Sequence, residues 1–202
     1  DADIAIKLKG EFGQVGLVLH PLATYYLFHK PGTFFLNKWS DFQDALPITT
    51  NNKLLSNLGL CKTTDAIVAL LLEHLKTLLE TKLPEINWLE VALEKIYISA
   101  GNITQEQLAD QVEISLRHFR RKFKEIVGVS PKYFCKVIQL NTVFEMLNSS
   151  NTEKLHYLAL DCGYYDQAHF IRDFKKLIGS SPRKFLEGKY SFVKEYMGRK
   201  PS

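Results

Sequence analysis

The chain has 202 residues, of which 46% are hydrophobic and 24% are charged, a composition typical of a globular protein with one or two domains. It excludes a disordered chain, and the net charge of +4 is too small to indicate a nucleic-acid partner by itself. The charge is uneven, however, with net −2 over residues 1–100, net +4 over 101–190 and net +2 over 191–202. Any surface for a polyanion is therefore expected in the C-terminal half.

The start of the chain predicts a small mixed α/β region. Its run of Val, Leu, Tyr and Phe between glycines favours a short strand near Gln14–His20. A short helix near Leu22–Phe28 and a turn at Pro31-Gly32 follow. Because the chain starts with Asp1 instead of Met, we expect it to be part of a longer protein.

Two helices are predicted next. The first runs from Thr64 to Lys82, with Thr64 or Asp65 as its cap, and the second over Glu85–Ser99. The apolar stretch Ala66–Leu79 is too short and too charged to cross a bilayer. Its wide leucine stripe is expected either in a domain core or on a dimer surface.

An internal repeat follows. Residues 118–131 read HFRRKFKEIVGVSP and residues 169–182 read HFIRDFKKLIGSSP, with 8 of 14 positions identical at an offset of 51. Two copies are too few for a solenoid, so a duplicated functional module is the better interpretation.

Each copy predicts a short helix, a turn and a second helix. In the first copy, Thr104 caps a helix over Gln105–Gln111, Ser115 caps the next helix, and Gly128 ends it. In the second copy, the first helix spans about Glu153 to Cys162. Its turn is at Gly163, and the next helix is capped by Asp166 and ends at Gly179.

A linker helix is predicted between the copies, over Pro131–Asn148. Its 18 residues would span about 27 Å, against ~34 Å between successive major-groove faces of DNA. A rod of that length, with the width of the flanking units, could place the two copies in adjacent grooves.

The second helix of each copy has an apolar stripe and a basic face. Short helix, tight turn and basic second helix are typical of the helix-turn-helix, whose second helix enters the major groove. Arg suits guanine edges, and Lys and Arg neutralise phosphates. The predicted DNA-binding residues are Ser115, Arg117, His118, Arg120, Arg121, Lys124, Gln167, Ala168, Arg172, Lys175 and Lys176. Arg117, Arg120 and Arg121 are expected at bases and nearby phosphates, and Lys124, Arg172, Lys175 and Lys176 mainly at phosphates.

Residues 104–186 resemble the DNA-binding domain of the AraC/XylS family of bacterial transcription regulators. The second copy carries the resemblance most strongly, through Gly163-Tyr-Tyr-Asp-Gln-Ala-His-Phe-Ile-Arg-Asp-Phe-Lys-Lys176 and Gly179-Ser-Ser-Pro182. The resemblance implies two helix-turn-helix units joined by a linker helix, acting as an activator or repressor. Less strongly, residues 16–28 resemble the tail of a sensor domain found in some relatives.

The sequence departs from the family pattern at two places. Glu113 stands where family members often have glycine in the first turn. In the second copy Ala168 and Ile171 replace Arg117 and Arg120, so the first unit is expected to carry most of the base readout. Gln167 and Ala168 would then add limited base contact.

Other chemistry has little support. The histidines lack the clustering of metal ligands, and no paired carboxylates, phosphate-binding glycine loop or nucleophile motif is present, so no metal, cofactor or enzyme activity is expected. Cys135 and Cys162 could be redox sensors or alkyl acceptors, but they lack Cys-X-X-Cys spacing. The scattered, odd cysteines fit a reducing compartment.

The sequence therefore predicts a mainly α protein with two helix-turn-helix units joined by a linker helix and preceded by a small mixed α/β region. Residues 1–100 would be part of a sensor or dimerisation region, 101–190 the DNA-binding domain, and 191–202 a basic tail. The function expected is sequence-specific binding of double-stranded DNA for transcription regulation in the bacterial cytoplasm. RNA polymerase, a small-molecule effector and a second copy are partners that the resemblance implies, and no membrane partner is expected. The alternatives are a helical protein-interaction module without DNA binding and a DNA-repair-associated DNA binder.

Overall fold

The computed structural model describes residues 15–16, 18–36, 54–79, 86–149 and 155–187. All regular structure within these ranges is helical, and they contain no strand. Residues 54–58 are helical as well. The other helices are α1 (Ala23–Phe28), α2 (Gly32–Phe35), α3 (Thr64–Leu79), α4 (Asn87–Ile98), α5 (Gln105–Gln111), α6 (Leu116–Val127), α7 (Pro131–Ser149), α8 (Leu155–Asp161), α9 (Gln167–Ile178) and α10 (Pro182–Glu187).

The first described residues differ from the sequence-based expectation. The strand predicted near Gln14–His20 is absent from the described residues of that range, where Val18 is 80% exposed. A strand needs a neighbour to pair its backbone groups, and no described residue supplies one. The predicted helix near Leu22–Phe28 is confirmed as α1. The prediction of a turn at Pro31-Gly32 is wrong, because Pro31 is the N-cap of the one-turn helix α2.

Helix α3 begins one residue away from the predicted cap. The Thr63 Oγ1 atom accepts a hydrogen bond from the Ala66 backbone N–H at 3.2 Å, so Thr63 is the cap instead of Thr64 or Asp65. The predicted extension of this helix to Lys82 lies outside the described residues. Between 64 and 78 no side chain is fully buried: Leu70, Leu71, Leu75 and Leu78 are partly buried, and Leu72 is 47% exposed.

The described residues form two compact units. Those before residue 86, together with 122–129, make the first unit, and the others make the second. Within the first unit the backbone of Gly32 lies against the end of α6. A Cβ atom on Gly32 would be 2.5 Å from the Ile126 carbonyl oxygen, so only glycine fits there.

In the second unit α4 packs against α5 and α7. It confirms the helix predicted over Glu85–Ser99, with Ile86 as its N-cap. One face of α4 is fully buried, and Trp88 meets Phe119 edge-on at 5.9 Å between ring centroids. Gly101 follows α4 with a φ of 76°, and a Cβ atom on it would collide with the Cys135 carbonyl of α7.

A cluster of aromatic rings joins α7, α9 and α10. Phe144 lies 5.9 Å from Phe174 and 5.2 Å from Phe185, and each of the three is at most 1% exposed. Burying a side chain of this size contributes about 1.5–3 kcal/mol. Helix α7 itself confirms the predicted linker helix, with an end at Ser149 and a length of about 28 Å.

Candidate nucleic-acid interface

The candidate interface is built from two helix pairs, α5 with α6 and α8 with α9. Thr104 starts the first pair with a complete capping box: its side chain accepts from the Gln107 backbone N–H at 3.1 Å, and the Gln107 side chain accepts from the Thr104 N–H at 2.9 Å. Ser115 lies before α6, with its Oγ atom 3.4 Å from the His118 backbone nitrogen. The start of each helix is thus fixed by its own sequence.

The second pair has an equivalent start. The Asp166 carboxylate accepts a hydrogen bond from the His169 backbone N–H at 2.6 Å and caps α9. Gly179 ends α9 in the left-handed conformation, with a φ of 81°. The predicted cap at Asp166 and the predicted end at Gly179 are confirmed. The structure describes α8 only from Leu155.

The two turns share one hydrogen-bond pattern. In the first turn Glu113 donates to Asp110 O, and the next residue, Ile114, donates to Ala109 O. In the second turn Gly163 and Tyr164 donate to the matching carbonyls of α8. Four residues separate α5 from α6 and five separate α8 from α9, which explains why the copies match at different offsets before and after the turn.

The second helix of each pair buries aromatic rings and exposes polar groups. Phe119 and Phe123 of α6 and Phe170 and Phe174 of α9 are at most 1% exposed. The predicted DNA-binding residues are all exposed; they are Ser115, Arg117, His118, Arg120, Arg121, Lys124, Gln167, Ala168, Arg172, Lys175 and Lys176. Each pair therefore presents a solvent-facing surface that is mainly basic, with Gln167 and Ala168 at the start of α9.

Arg120 bridges the two helices of the first pair. Its Nη2 atom lies 2.9 Å from Glu106 Oε1, and its Nε atom donates to Gln105 Oε1 at 3.0 Å. These bonds direct the guanidinium toward the start of α5. Sequence reasoning missed Glu106 and Gln105; the only signal was an acid in the first turn of the short helix.

The two equivalent histidines have different surroundings. His118 is exposed, whereas the His169 side chain is 33% exposed and its Nε2 atom lies 3.3 Å from Asp173 Oδ2. Lys136 of α7 reaches the same carboxylate at 3.1 Å. Sequence reasoning missed this cluster, because Lys136 and Asp173 are far apart in the chain.

The thiols of the second unit are buried. Burial raises the pKa of Cys135 to about 11, and burial together with the Asp161 and Glu145 carboxylates raises the pKa of Cys162 to about 11. Cys162 Sγ lies 3.3 Å from Met146 Sδ. Because the thiolate is the reactive form, both cysteines are suited to packing and not to nucleophilic chemistry at neutral pH.

The described part of the chain shows neither a metal site nor a membrane-spanning helix. The described residues include no group of three or more His, Cys, Asp or Glu side chains placed to hold a metal ion. None of the helices in the described ranges has the length and apolar character needed to cross a membrane.

The sequence of this region is similar to known helix-turn-helix proteins. The pattern described as "Helix-turn-helix domain" matches residues 108–188. The chain is 30% identical over 90 residues to the HTH-type transcriptional activator RhaS of Escherichia fergusonii, covering 45% of this chain and 32% of that protein. It is 28% identical over 115 residues to RhaS of Escherichia coli O157:H7, covering 57% of this chain and 40% of that protein.

The chain thus spans only about a third to two-fifths of the length of these curated relatives. No solved structure matches it. The matched segment contains α6 and α9 with their basic faces, and the linker helix α7. The comparisons therefore support the resemblance of this region to the DNA-binding domain of the AraC/XylS family.

Proposed function

We propose that this chain is a sequence-specific, double-stranded DNA-binding transcription regulator whose two helix-turn-helix units read adjacent major grooves. The observation that carries the proposal is the duplicated turn geometry, with a basic exposed face on the second helix of each pair. The similarity to the RhaS proteins, which are transcriptional activators, supports a regulatory, non-enzymatic role.

The proposed roles differ between the two units. In the first unit Arg117 and Arg121 contact bases and nearby phosphates, and Lys124 contacts phosphate. Arg120, bonded to Glu106, is better suited to holding α6 against α5 than to reading a base. Ser115 and His118 lie at the start of α6, where backbone N–H groups favour a phosphate.

The second unit adds mainly phosphate contacts. Arg172, Lys175 and Lys176 lie on its exposed face and would neutralise phosphates. Gln167 can bond a base edge, and the Ala168 methyl group can contact a thymine methyl. Direct readout is therefore concentrated in the first unit.

The proposed domain division follows from packing. Helix α4 contacts α5 and α7 and so accompanies the DNA-binding domain, which we place over 101–190 with α4 attached to it. Residues before α4 would belong to a sensor or dimerisation region, and 191–202 to a basic tail. The leucine stripe of α3 is only partly buried, which suits contact with a second copy. We also propose that the protein binds a small-molecule effector and RNA polymerase and that it acts in the cytoplasm.

The test is selection from a random duplex DNA pool followed by sequencing of the bound fraction. A motif spanning about two turns supports both reading helices. A motif of one turn would restrict base reading to the first unit. Salt-sensitive binding without enrichment would leave a non-specific DNA binder, and no binding at low salt would overturn the proposal in favour of a protein-interaction module.

A control variant separates specific contact from net charge. Arg117→Ala with Arg121→Ala removes two positive charges from α6. Lys95→Ala removes one from the exposed side of α4, outside both helix pairs. The α6 double variant should lose the enriched motif, while Lys95→Ala should retain it.

A further inference from the structure

Lys136 of the linker helix α7 has a largely buried side chain that is surrounded by polar and aromatic groups. Its side chain is 25% exposed, and its Nζ atom lies 3.1 Å from Asp173 Oδ2 and 3.3 Å from His169 Nε2, both on α9. The same ammonium group sits 4.9 Å from the centre of the Tyr164 ring. One cation therefore contacts two positions of α9 and the turn before it.

Gln139, one turn further along α7, extends the cluster. It is 3% exposed, its Nε2 atom donates to the Cys162 carbonyl at 2.8 Å, and its Oε1 atom accepts from Lys136 Nζ at 3.0 Å. The Cys162 carbonyl lies just after α8. Lys136 and Gln139 thus bond α7 to both helices of the second pair.

The first copy has no counterpart of this cluster at the matching positions. The residue equivalent to Asp173 is Lys122, which pairs with Glu125 of its own helix at 2.9 Å. Ile114 stands in place of the aromatic Tyr164, because the turns match at an offset of 50. The cluster therefore does not arise from the fold of the unit, which both copies share.

The Lys136–Asp173 ion pair and the hydrogen bonds of Gln139 constrain helix rotation in a way that the aromatic core does not. Apolar contact is non-directional and leaves a helix free to adjust its rotation against a neighbour. A paired, half-buried charge and a satisfied buried amide have few alternative arrangements, because breaking either leaves a polar group without its partner. The cluster therefore favours one orientation of α9 on α7.

Resting on the proposed function, we propose that Lys136 is a positioning residue that fixes the orientation of α9 on the linker helix and so sets the spacing between the two halves of the DNA site. The Lys136 cluster, made of Lys136, Gln139, His169 and Asp173, would give the protein a strict half-site spacing without touching DNA.

The test uses the full chain and duplexes carrying the selected site with one or two base pairs inserted or removed between its halves. In the wild type a one-base-pair change should weaken binding about tenfold, as a mismatch does. In Lys136→Met that penalty should fall below about threefold, with base preferences within each half unchanged. Lys136→Arg should restore strict spacing, and Lys132→Met, an exposed lysine on α7, should leave the spacing profile unchanged.

A wild-type spacing profile in folded Lys136→Met would overturn the inference. If that variant does not fold, Asp173→Asn, which keeps the shape of the side chain, is tested in its place with the same expectation. A loss of thermal stability with an unchanged spacing profile would show a purely structural role and also contradict the proposal.

A second measurement does not depend on DNA. Spin labels at Tyr133→Cys and Lys176→Cys, on exposed positions of α7 and α9, should give a narrow distance distribution that broadens in Lys136→Met. No broadening would refute the orienting role even if the wild type selects no two-part site. Broadening without any selected site would keep that role and reject the proposed function instead.

Discussion

Glu113 occupies a backbone conformation that the second copy fills with glycine. Its φ is 54°, and that of Gly163 at the matching point is 83°. A residue with a Cβ atom in this left-handed region is strained by about 1–2 kcal/mol. The first turn therefore keeps its hydrogen bonds at a cost that the second turn avoids.

Glu113→Gly should consequently stabilise the folded protein by about 0.5–1 kcal/mol, since relief of strain exceeds the added freedom of the unfolded chain. Chemical denaturation measures the free energy of unfolding. Gly163→Ala is the matched control and should destabilise, because its Cβ atom would lie 2.8 Å from Asn102 Nδ2 and its φ would be strained. A neutral or destabilising Glu113→Gly would mean that the glutamate side chain compensates the strain.

The buried thiols make stability fall in alkaline solution. Their pKa values are raised from an ordinary value of 9.0 to about 11, so between these values the unfolded chain releases thiol protons that the folded protein retains. The two thiols leave the free energy of unfolding unchanged below about pH 9 and lower it as the pH rises toward 11. Denaturation curves at pH 8, 9.5 and 10.5 should show the decrease, and replacing Cys135 and Cys162 by Ala should reduce its slope. An equal slope in the double variant would assign the effect to other groups.

At the scale of single elements, the first helix pair is joined by a side-chain bridge at a position where the second pair has an apolar residue. Arg120 connects α6 to Glu106 of α5, whereas the corresponding Ile171 packs partly buried against the core cluster of the second unit. The same position is polar in one copy and apolar in the other, and in both it contributes to packing within its own unit.

Arg120→Met should therefore weaken binding to all DNA sequences by a similar factor while preserving the motif. Because the Arg120–Glu106 pair is about half exposed, its contribution to stability should not exceed about 1 kcal/mol. Glu106→Gln should reproduce the loss of stability. A change in base preference in Arg120→Met would instead place this arginine at a base.

Arg121→Ala provides the contrast. It should relax one base position at a cost of about 1–3 kcal/mol, measured by repeating the DNA selection with the variant. Unchanged affinity and motif would refute the base-reading role.

Local signals explain which elements were predictable. The capping box at Thr104, the cap at Asp166 and the glycines that end α6 and α9 are encoded within a few residues, and each predicted helix boundary there lies close to the observed one. The strand near Gln14–His20 was not predictable in the same way, since a strand depends on a distant partner. The Arg120 bridge and the Lys136 cluster likewise join side chains far apart in sequence. The roles assigned to the DNA-binding residues stay predictions, although their common exposure fits them.

At the scale of the whole molecule, the basic residues of the two helix pairs lie on the exposed faces of α6 and α9. In the proposed function, binding releases counterions in proportion to the phosphates neutralised. Base reading by the first unit would then select the site, while phosphate contacts by the second would raise affinity for all sequences.

Lys175→Ala should thus lower affinity for every sequence alike and reduce the slope of log affinity against log salt concentration by about 1. Titrations of a selected and a scrambled duplex at several salt concentrations measure both quantities. A changed base preference would contradict a phosphate-only role for this lysine.

The continuity of α7 constrains how this protein can evolve. One residue added inside the helix would turn everything after it by about 100° and advance it by about 1.5 Å, so in the proposed complex α9 would face away from the groove. Seven added residues, close to two full turns, would restore the facing direction to within about 20°, and they would move the second unit by about 10.5 Å, or roughly three base pairs. Single insertions or deletions in α7 should therefore be purged by selection, and descendants that recognise a differently spaced operator should have changed the joint between α7 and α9 instead of the helix length.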